Sequence, residues 1–189
     1  ALNVYPGRVM ALVGENGAGK TTLMRILYGQ YAPDGGRIFI DGEQCAYGVA
    51  GALKRGIGMV HQEFMLYQDL TVLENLMLGF ESTHMGVFLD KKKAKADIEA
   101  ICERYHFSIP LGDLARDLPV SLLQQVEIVK VLYKGADIII LDEPTAVLTP
   151  QGIEGLFDAI RYLTAHGKTV ILITHKLGEV MEISDYITV

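Results

Sequence analysis

Eight consecutive residues, Gly14-Glu15-Asn16-Gly17-Ala18-Gly19-Lys20-Thr21, fit the pattern G-x-x-x-x-G-K-[ST], whose chemistry is the binding of a phosphate chain. Glycines let a backbone wrap closely around phosphates. The N–H groups of the loop, and of the helical turn after it, point at them from the positive end of the helix dipole. Lys20 would reach the β- and γ-phosphates and the Thr21 hydroxyl would ligate Mg²⁺, so Gly14 through Thr22 form the expected cofactor-binding set. A second group, Ile138-Ile139-Ile140-Leu141-Asp142-Glu143, is an apolar strand ending in two carboxylates. Side chains alternate along a strand, so the two acids should diverge: Asp142 can hold Mg²⁺ through its water shell, while Glu143 addresses an attacking water as general base. The plain alternative is an acidic strand end before Pro144. Gln62 and His175 each follow an apolar run. A glutamine there could reach Mg²⁺ or the attacking water and a histidine the γ-phosphate, although each can equally be an ordinary strand-end polar residue. His61, His84, His106 and His166 have no such context and read as surface or satisfied core histidines.

The elements that must position these groups follow from apolar spacing. Residues 8–13 are an apolar run ending at glycine, and Leu23, Ile26 and Leu27 recur at helical spacing after Lys20, which predicts strand, glycine loop, helix. Short strands are expected at 37–40, before the turn signal Asp41-Gly42, and at GMVH before Gln62. The pattern then turns helical. Thr71-x-x-Glu74 is a capping box, Asp90 can cap a helix carrying Ala94, Ile98, Ile101 and Tyr105 on one face, and Ser121 can cap another running to about Tyr133. Strands return with ADIIILDEP, TVILIT and DYITV. Between them lie a helix opened by Pro150 and ended near Gly167, and a helix from about Leu177. The expected fold is α/β: a phosphate-binding core over residues 1–65 and 135–189, with the sheet flanked by helices, and an inserted helical subdomain over 66–134.

Composition bounds the reading. A chain of 189 residues, half of them hydrophobic and 21% charged, suits one domain with a sizeable core and excludes a disordered chain. The net charge of −6 argues against a general nucleic-acid binder. Cys45 and Cys102 are the only cysteines, so neither a disulfide framework nor a cysteine metal site is expected, which points to a reducing, cytoplasmic compartment. There is no run of about 18 apolar residues and no signal-peptide pattern. The chain starts at Ala1 and stops at Val189 within an expected strand, so we expect a fragment.

The segments GENGAGKT, VHQEF, IIILDEP and ITH, in this order and spacing, resemble the nucleotide-binding subunit of ABC transporters over essentially the whole chain. VHQEFML, VEIVKVLYKGAD, DEPTAVLTPQ and ITHKLGEVM resemble more narrowly the ATPases of bacterial simple-sugar and nucleoside importers. The resemblance implies a P-loop NTPase core, ATP and Mg²⁺ as ligands, Gln62 as Q-loop glutamine, Glu143 as catalytic base and His175 as switch histidine. Thr21, Gln62 and Asp142 would address the metal. It also implies a head-to-tail pair of ATPase halves, each site completed by the partner's signature loop. A permease would dock by the Q-loop and helical subdomain, and the protein would lie in the cytoplasm, peripheral on the inner face of the membrane. The apolar stretch from Phe64 to Phe80 would receive the permease's coupling helix; the plain alternative is the core of the helical lobe. Lys91-Lys92-Lys93 reads as a solvated helix start that anionic lipid could use.

The departures carry information. The family's LSGGQ signature aligns with Leu118-Pro119-Val120-Ser121-Leu122. Pro119 replaces a hydroxyl and removes a backbone donor, and Ser121 stands where glycine allows close approach. Thr149 replaces the aspartate usual after the D-loop leucine. In importers with two fused halves the first half typically combines an intact phosphate site with an eroded signature, so the chain is expected to belong to a first half. An adenine-stacking aromatic is expected upstream of Ala1. Two other readings stand beside the importer motor: a nucleotide-gated module with little turnover, which should lack the base, and an ABC ATPase detached from membranes, which should carry large coiled-coil or basic insertions. A GTPase would need an N-K-x-D motif, which is absent.

Overall fold

The computed structural model describes residues 2–15, 17–45, 48–79 and 91–189. In chain order the elements are β1 (Val9–Val13), α1 (Lys20–Leu27), β2 (Phe39–Ile40), β3 (Glu43–Gln44), α2 (Val49–Lys54), β4 (Ile57–Val60), α3 (Val72–Met77) and α4 (Lys91–Tyr105). After a 3₁₀ turn at Ala115–Asp117 come α5 (Val120–Tyr133), β5 (Ile138–Asp142), α6 (Pro150–Ala165), β6 (Thr169–Thr174), α7 (Leu177–Ile183) and β7 (Tyr186–Thr188).

Five parallel strands form the main sheet in the order β4-β5-β6-β1-β7. Its inner strands are apolar without alternation because both faces are covered. On one face Met10, Leu12, Met59, Ile140, Ile171 and Ile173 pack with Met24 of α1 and Ala52 of α2. On the other, Ile139, Leu141, Val170 and Leu172 share a core with Val126 and Val129 of α5 and Phe157 and Ile160 of α6. Period two therefore assigns Asp142, in step with Ile138 and Ile140, to the α1 face. In register, Val13 lies opposite Thr174 and Asp142 opposite Ile173, so the strands deliver their C-terminal ends to one edge. That edge is where open parallel sheets bind ligands.

The helical stretch is not a separate globule: Ile98 and Tyr105 of α4 belong to the same apolar cluster as α5, α6 and the sheet. Gly58 in β4 makes the approach of α5 possible, since a Cβ there would meet the Cβ atoms of Val131 at 2.7 Å and Ala136 at 2.9 Å. The expected capping box opens α3, with the Thr71 and Glu74 side chains each bonded to the other's backbone N–H. At α5 the expectation fails. Its N-cap is Pro119 and its first residue Val120, with no side-chain cap, so Ser121 already lies inside the helix. Proline is confined to helix starts, and Pro119 takes the extended conformation an N-cap requires, which fixes the boundary before serine can cap. Asp90, His84 and Phe80 lie outside the described residues.

Candidate functional site

β1 ends at Val13, and the chain turns through the glycine loop into α1. Gly17 (φ 83°) and Gly19 (φ 88°) occupy left-handed conformations that a side chain would strain. Gly19 is the N-cap of α1 and makes no side-chain cap, so the first-turn N–H groups point out of the helix without an internal acceptor. Lys20 is only 8% exposed, and its ammonium folds back into the loop, donating to the carbonyls of Gly14 at 2.8 Å and Glu15 at 2.9 Å. Aligned donors around a held cation fit a phosphate chain. Gly14, Glu15, Gly17, Ala18 and Gly19 thus lie in the loop, and Lys20, Thr21 and Thr22 in the first turn of α1; Asn16 lies outside the described residues.

Thr21 and Asp142 meet across the sheet edge, the Thr21 hydroxyl donating to Asp142 Oδ1 at 3.0 Å. Asp142 is 2% exposed, and burial pushes its carboxyl above the usual range. Glu143 pushes the same way; the Thr21 bond and the nearby Arg25 and His61 oppose it. This pair fits Mg²⁺, which takes hard oxygen ligands and is commonly held by one or two protein oxygens beside substrate phosphates. No group of three His, Cys, Asp or Glu side chains able to hold a metal occurs among the described residues, and such a site needs none.

Glu143 stands just past the end of β5, where strand alternation no longer sets its side chain. Its φ of 46° is left-handed, a strained conformation that persists only where the surroundings enforce it and that concentrates at functional sites. Its Oε1 lies 3.1 Å from His175 Nδ1, with Glu143 19% exposed and His175 44% exposed. A carboxylate can only accept, so with Glu143 ionised this contact places a proton on Nδ1 and leaves Nε2 facing outward chemistry. Gln62 is exposed just past β4, level with the end of β5, and touches none of these groups by a polar contact among the described residues. Its segment is nevertheless held by α5: Glu127 accepts from the Met65 N–H at 2.7 Å, and Lys130 donates to the Met65 carbonyl at 2.8 Å. Burial raises the pKa of Glu127, opposed by Lys130.

His61, which reads from sequence as a surface or satisfied core histidine, is half-buried against Tyr28 and close enough to Asp142 to feel its charge, and burial lowers its pKa. A polar cluster of Thr145, Thr174, Lys176 and Glu179 adjoins Glu143 and His175 along the chain and carries no signal in the sequence, because Thr145 meets Glu179 across 34 residues of chain. The signature-aligned residues Pro119, Val120, Ser121 and Leu122 stand at the start of α5, Pro119 and Val120 exposed, and are not joined to the phosphate loop by any described hydrogen bond or ion pair. A cleft of about 810 Å³ lies between α1, the β2–β3 hairpin and the opposite ends of β5 and β6, and is lined by none of the candidate site residues.

A family model described as ABC transporter matches residues 1–146. The chain is 49% identical, over its full length, to the nucleoside import ATP-binding protein NupA of Lactococcus lactis subsp. cremoris (strain MG1363), covering 37% of that protein. It is 42% identical over 97% of its length to the ribose import ATP-binding protein RbsA 1 of Streptomyces avermitilis, covering 35% of it. The chain therefore spans little more than a third of these relatives. Among solved structures, MJ1267, an ATP-binding cassette of an ABC transporter, superposes with a TM-score of 0.87 at 26% identity, covering all of this chain and 79% of that one. No helix among the described residues is long and apolar enough to cross a membrane. By its match to the family model and its identity to these relatives, the chain belongs to the ABC transporter family.

Proposed function

We propose that the chain is part of the ATP-hydrolysing motor that powers import of a small polar solute, a nucleoside or sugar, through a membrane permease. The observation that carries this is the meeting, at one sheet edge, of a phosphate loop with Lys20 inside it, the Thr21–Asp142 pair and the Glu143–His175 pair. The loop N–H groups and Lys20 bind the phosphates of ATP. Thr21, Asp142 and Gln62 would hold Mg²⁺, which when bound neutralises phosphate charge. Glu143 takes a proton from the attacking water, and His175, fixed by its Nδ1 contact, keeps Nε2 available to the γ-phosphate. A second ATPase half, fused or separate, completes the site head to tail. The permease docks on the Q-loop and the helical lobe (residues 66–134), at the inner face of the membrane. No nucleic acid is involved.

The relatives' names support the solute class, and the negative net charge of the chain supports the absence of a nucleic-acid partner. The test is Glu143→Gln in the full-length protein with its permease. It should bind ATP normally and lose hydrolysis by about 10²-fold or more, since an amide cannot take the proton. A rate above about a tenth of wild type would move the base elsewhere.

A further inference from the structure

Glu143 and His175 sit on different loops, and a buried polar cluster ties those loops together from behind. At its centre is Glu179, in the first turn of α7 and 9% exposed. Its Oε2 accepts from the hydroxyl of Thr145 at 2.8 Å and from that of Thr174 at 3.1 Å, and its Oε1 lies 3.0 Å from the ammonium of Lys176. Three further bonds close the cluster: the Lys176 N–H donates to Thr174 Oγ1 at 3.1 Å, and the Lys176 ammonium donates to Thr145 Oγ1 at 3.2 Å and to the Thr145 carbonyl at 3.4 Å. Thr145 lies two residues beyond Glu143, while Thr174 and Lys176 flank His175. One carboxylate thus accepts from both loops.

The placement has a physical demand behind it. A buried carboxylate is tolerated only when paired and hydrogen-bonded, and removing one partner of such a set leaves the others unsatisfied. Glu179 has three donors, so the cluster is closed on itself. The strained backbone at Glu143 needs surroundings that enforce it, and the Thr145–Glu179 bond anchors the chain just after it. Catalytic groups on separate loops must be held in register, because a misplacement of about 1 Å can cost about 10²-fold in rate.

We propose that Glu179 is a positioning residue for hydrolysis: acting through Thr145 and Thr174, it sets the distance between Glu143 and His175 and so holds the base and the histidine over the same reacting centre. The inference rests on the ATPase reading given above. The Glu179 carboxylate is engaged by Thr145, Thr174 and Lys176 rather than by the phosphate loop, so its signature is a change in kcat rather than in binding.

The test uses the full-length protein in its assembly, with ATP-binding sites counted by titration with a fluorescent ATP analogue. Glu179→Ala should lower kcat per binding site by about tenfold to 10²-fold while leaving ATP affinity within about twofold. Glu179→Gln keeps an oxygen for the threonine hydroxyls and should recover most of that loss. Thr174→Val removes a single hydroxyl and should show a smaller loss in the same parameter, which keeps the test alive if the alanine variant folds poorly. Normal kcat per site in both Glu179→Ala and Thr174→Val, or a loss confined to the number of folded sites, would overturn the proposal. Run in parallel, Glu143→Gln separates the two levels: normal turnover there would sink the ATPase reading itself, whereas an inactive Glu143→Gln beside a fully active Glu179→Ala would sink only the positioning role.

Discussion

Two helices of this protein, α1 and α5, begin in the same unfinished way, each at an N-cap that makes no side-chain hydrogen bond. At α1 the preceding loop has glycines at φ 83° and 88°, a buried lysine bonded into it and a carboxylate across the sheet edge. At α5 the preceding residue is Pro119 at φ −65° and ψ 153°, followed by Val120, which is 38% exposed. The helix dipole is available at both. What separates them is the backbone: glycine lets the chain curl its donors inward around a charge, and proline holds it extended with one donor fewer. A bare helix start is therefore not a site; the loop before it makes it one.

That contrast is broken most directly at its centre. Lys20→Ala should reduce MgATP affinity by at least about 10²-fold, about 2.7 kcal/mol, because the phosphates lose the one cation held inside the loop. Titration of wild type and variant with a fluorescent ATP analogue checks it, and equal affinities would leave α1 no better equipped than α5.

The sequence reading reached what depends on period and local chemistry. The apolar runs of β1, β5 and β6 are legible because doubly covered strands have no polar alternation, and period two puts Asp142 in step with Ile138 and Ile140, whereas which helix covers that face comes from the packing. The Asp41-Gly42 turn signal becomes a tight hairpin between β2 and β3, with both residues at positive φ (51° and 81°), as a two-residue hairpin turn demands. Contacts between distant segments were not legible. α2, a six-residue helix with two alanines and a glycine, carries too little apolar signal to stand out. The left-handed Glu143 is unreadable because the conformation is imposed by the surrounding loops, and Glu179 meets Thr145 across 34 residues of chain. Ser121 was misread for the opposite reason: a good capping residue was visible, but the proline two positions earlier had already ended the extended segment.

A middle-sized effect sharpens the comparison through pH. The carboxyl of Asp142 is raised above its ordinary value, so in the window between the two the folded protein binds more protons than the unfolded one. The contribution to stability is fully present below the ordinary carboxylate value and is lost as pH rises through the raised one. At neutral pH the buried charge is thus a cost, one that the proposed Mg²⁺ would offset. Asp142→Asn should raise the Tm of the nucleotide-free protein at pH 7 by about 2–4 °C, the shift about 1 kcal/mol produces in a domain of this size. The gain should shrink as pH falls from the raised value to the ordinary carboxylate value, and the variant should lose the extra stabilisation that Mg²⁺ adds to ATP. Thermal melts at a series of pH values decide it; a destabilised variant at pH 7 would show that the ionised group is satisfied without a metal.

The smallest effect is expected at α5. If the erosion there matters only to a partner's nucleotide, an assembly of this protein with a second ATPase half turns over ATP mainly at the site containing Lys20 and Glu143. Pro119→Ser supplies the missing N-cap, worth about 1 kcal/mol, while Ser121→Gly inside the helix costs about 0.5–1 kcal/mol. The two nearly cancel in stability, so a change in rate in the double variant reports function and not folding. Hydrolysis should change by less than about twofold, because the partner's own phosphate loop remains limiting. Three rates settle the comparison: the assembly with Glu143→Gln, with Pro119→Ser plus Ser121→Gly, and with the base of the second half replaced. Near-normal activity in Glu143→Gln, together with a large loss from the second-half replacement, would reverse the asymmetry and make α5, rather than α1, the side of the molecule on which turnover depends.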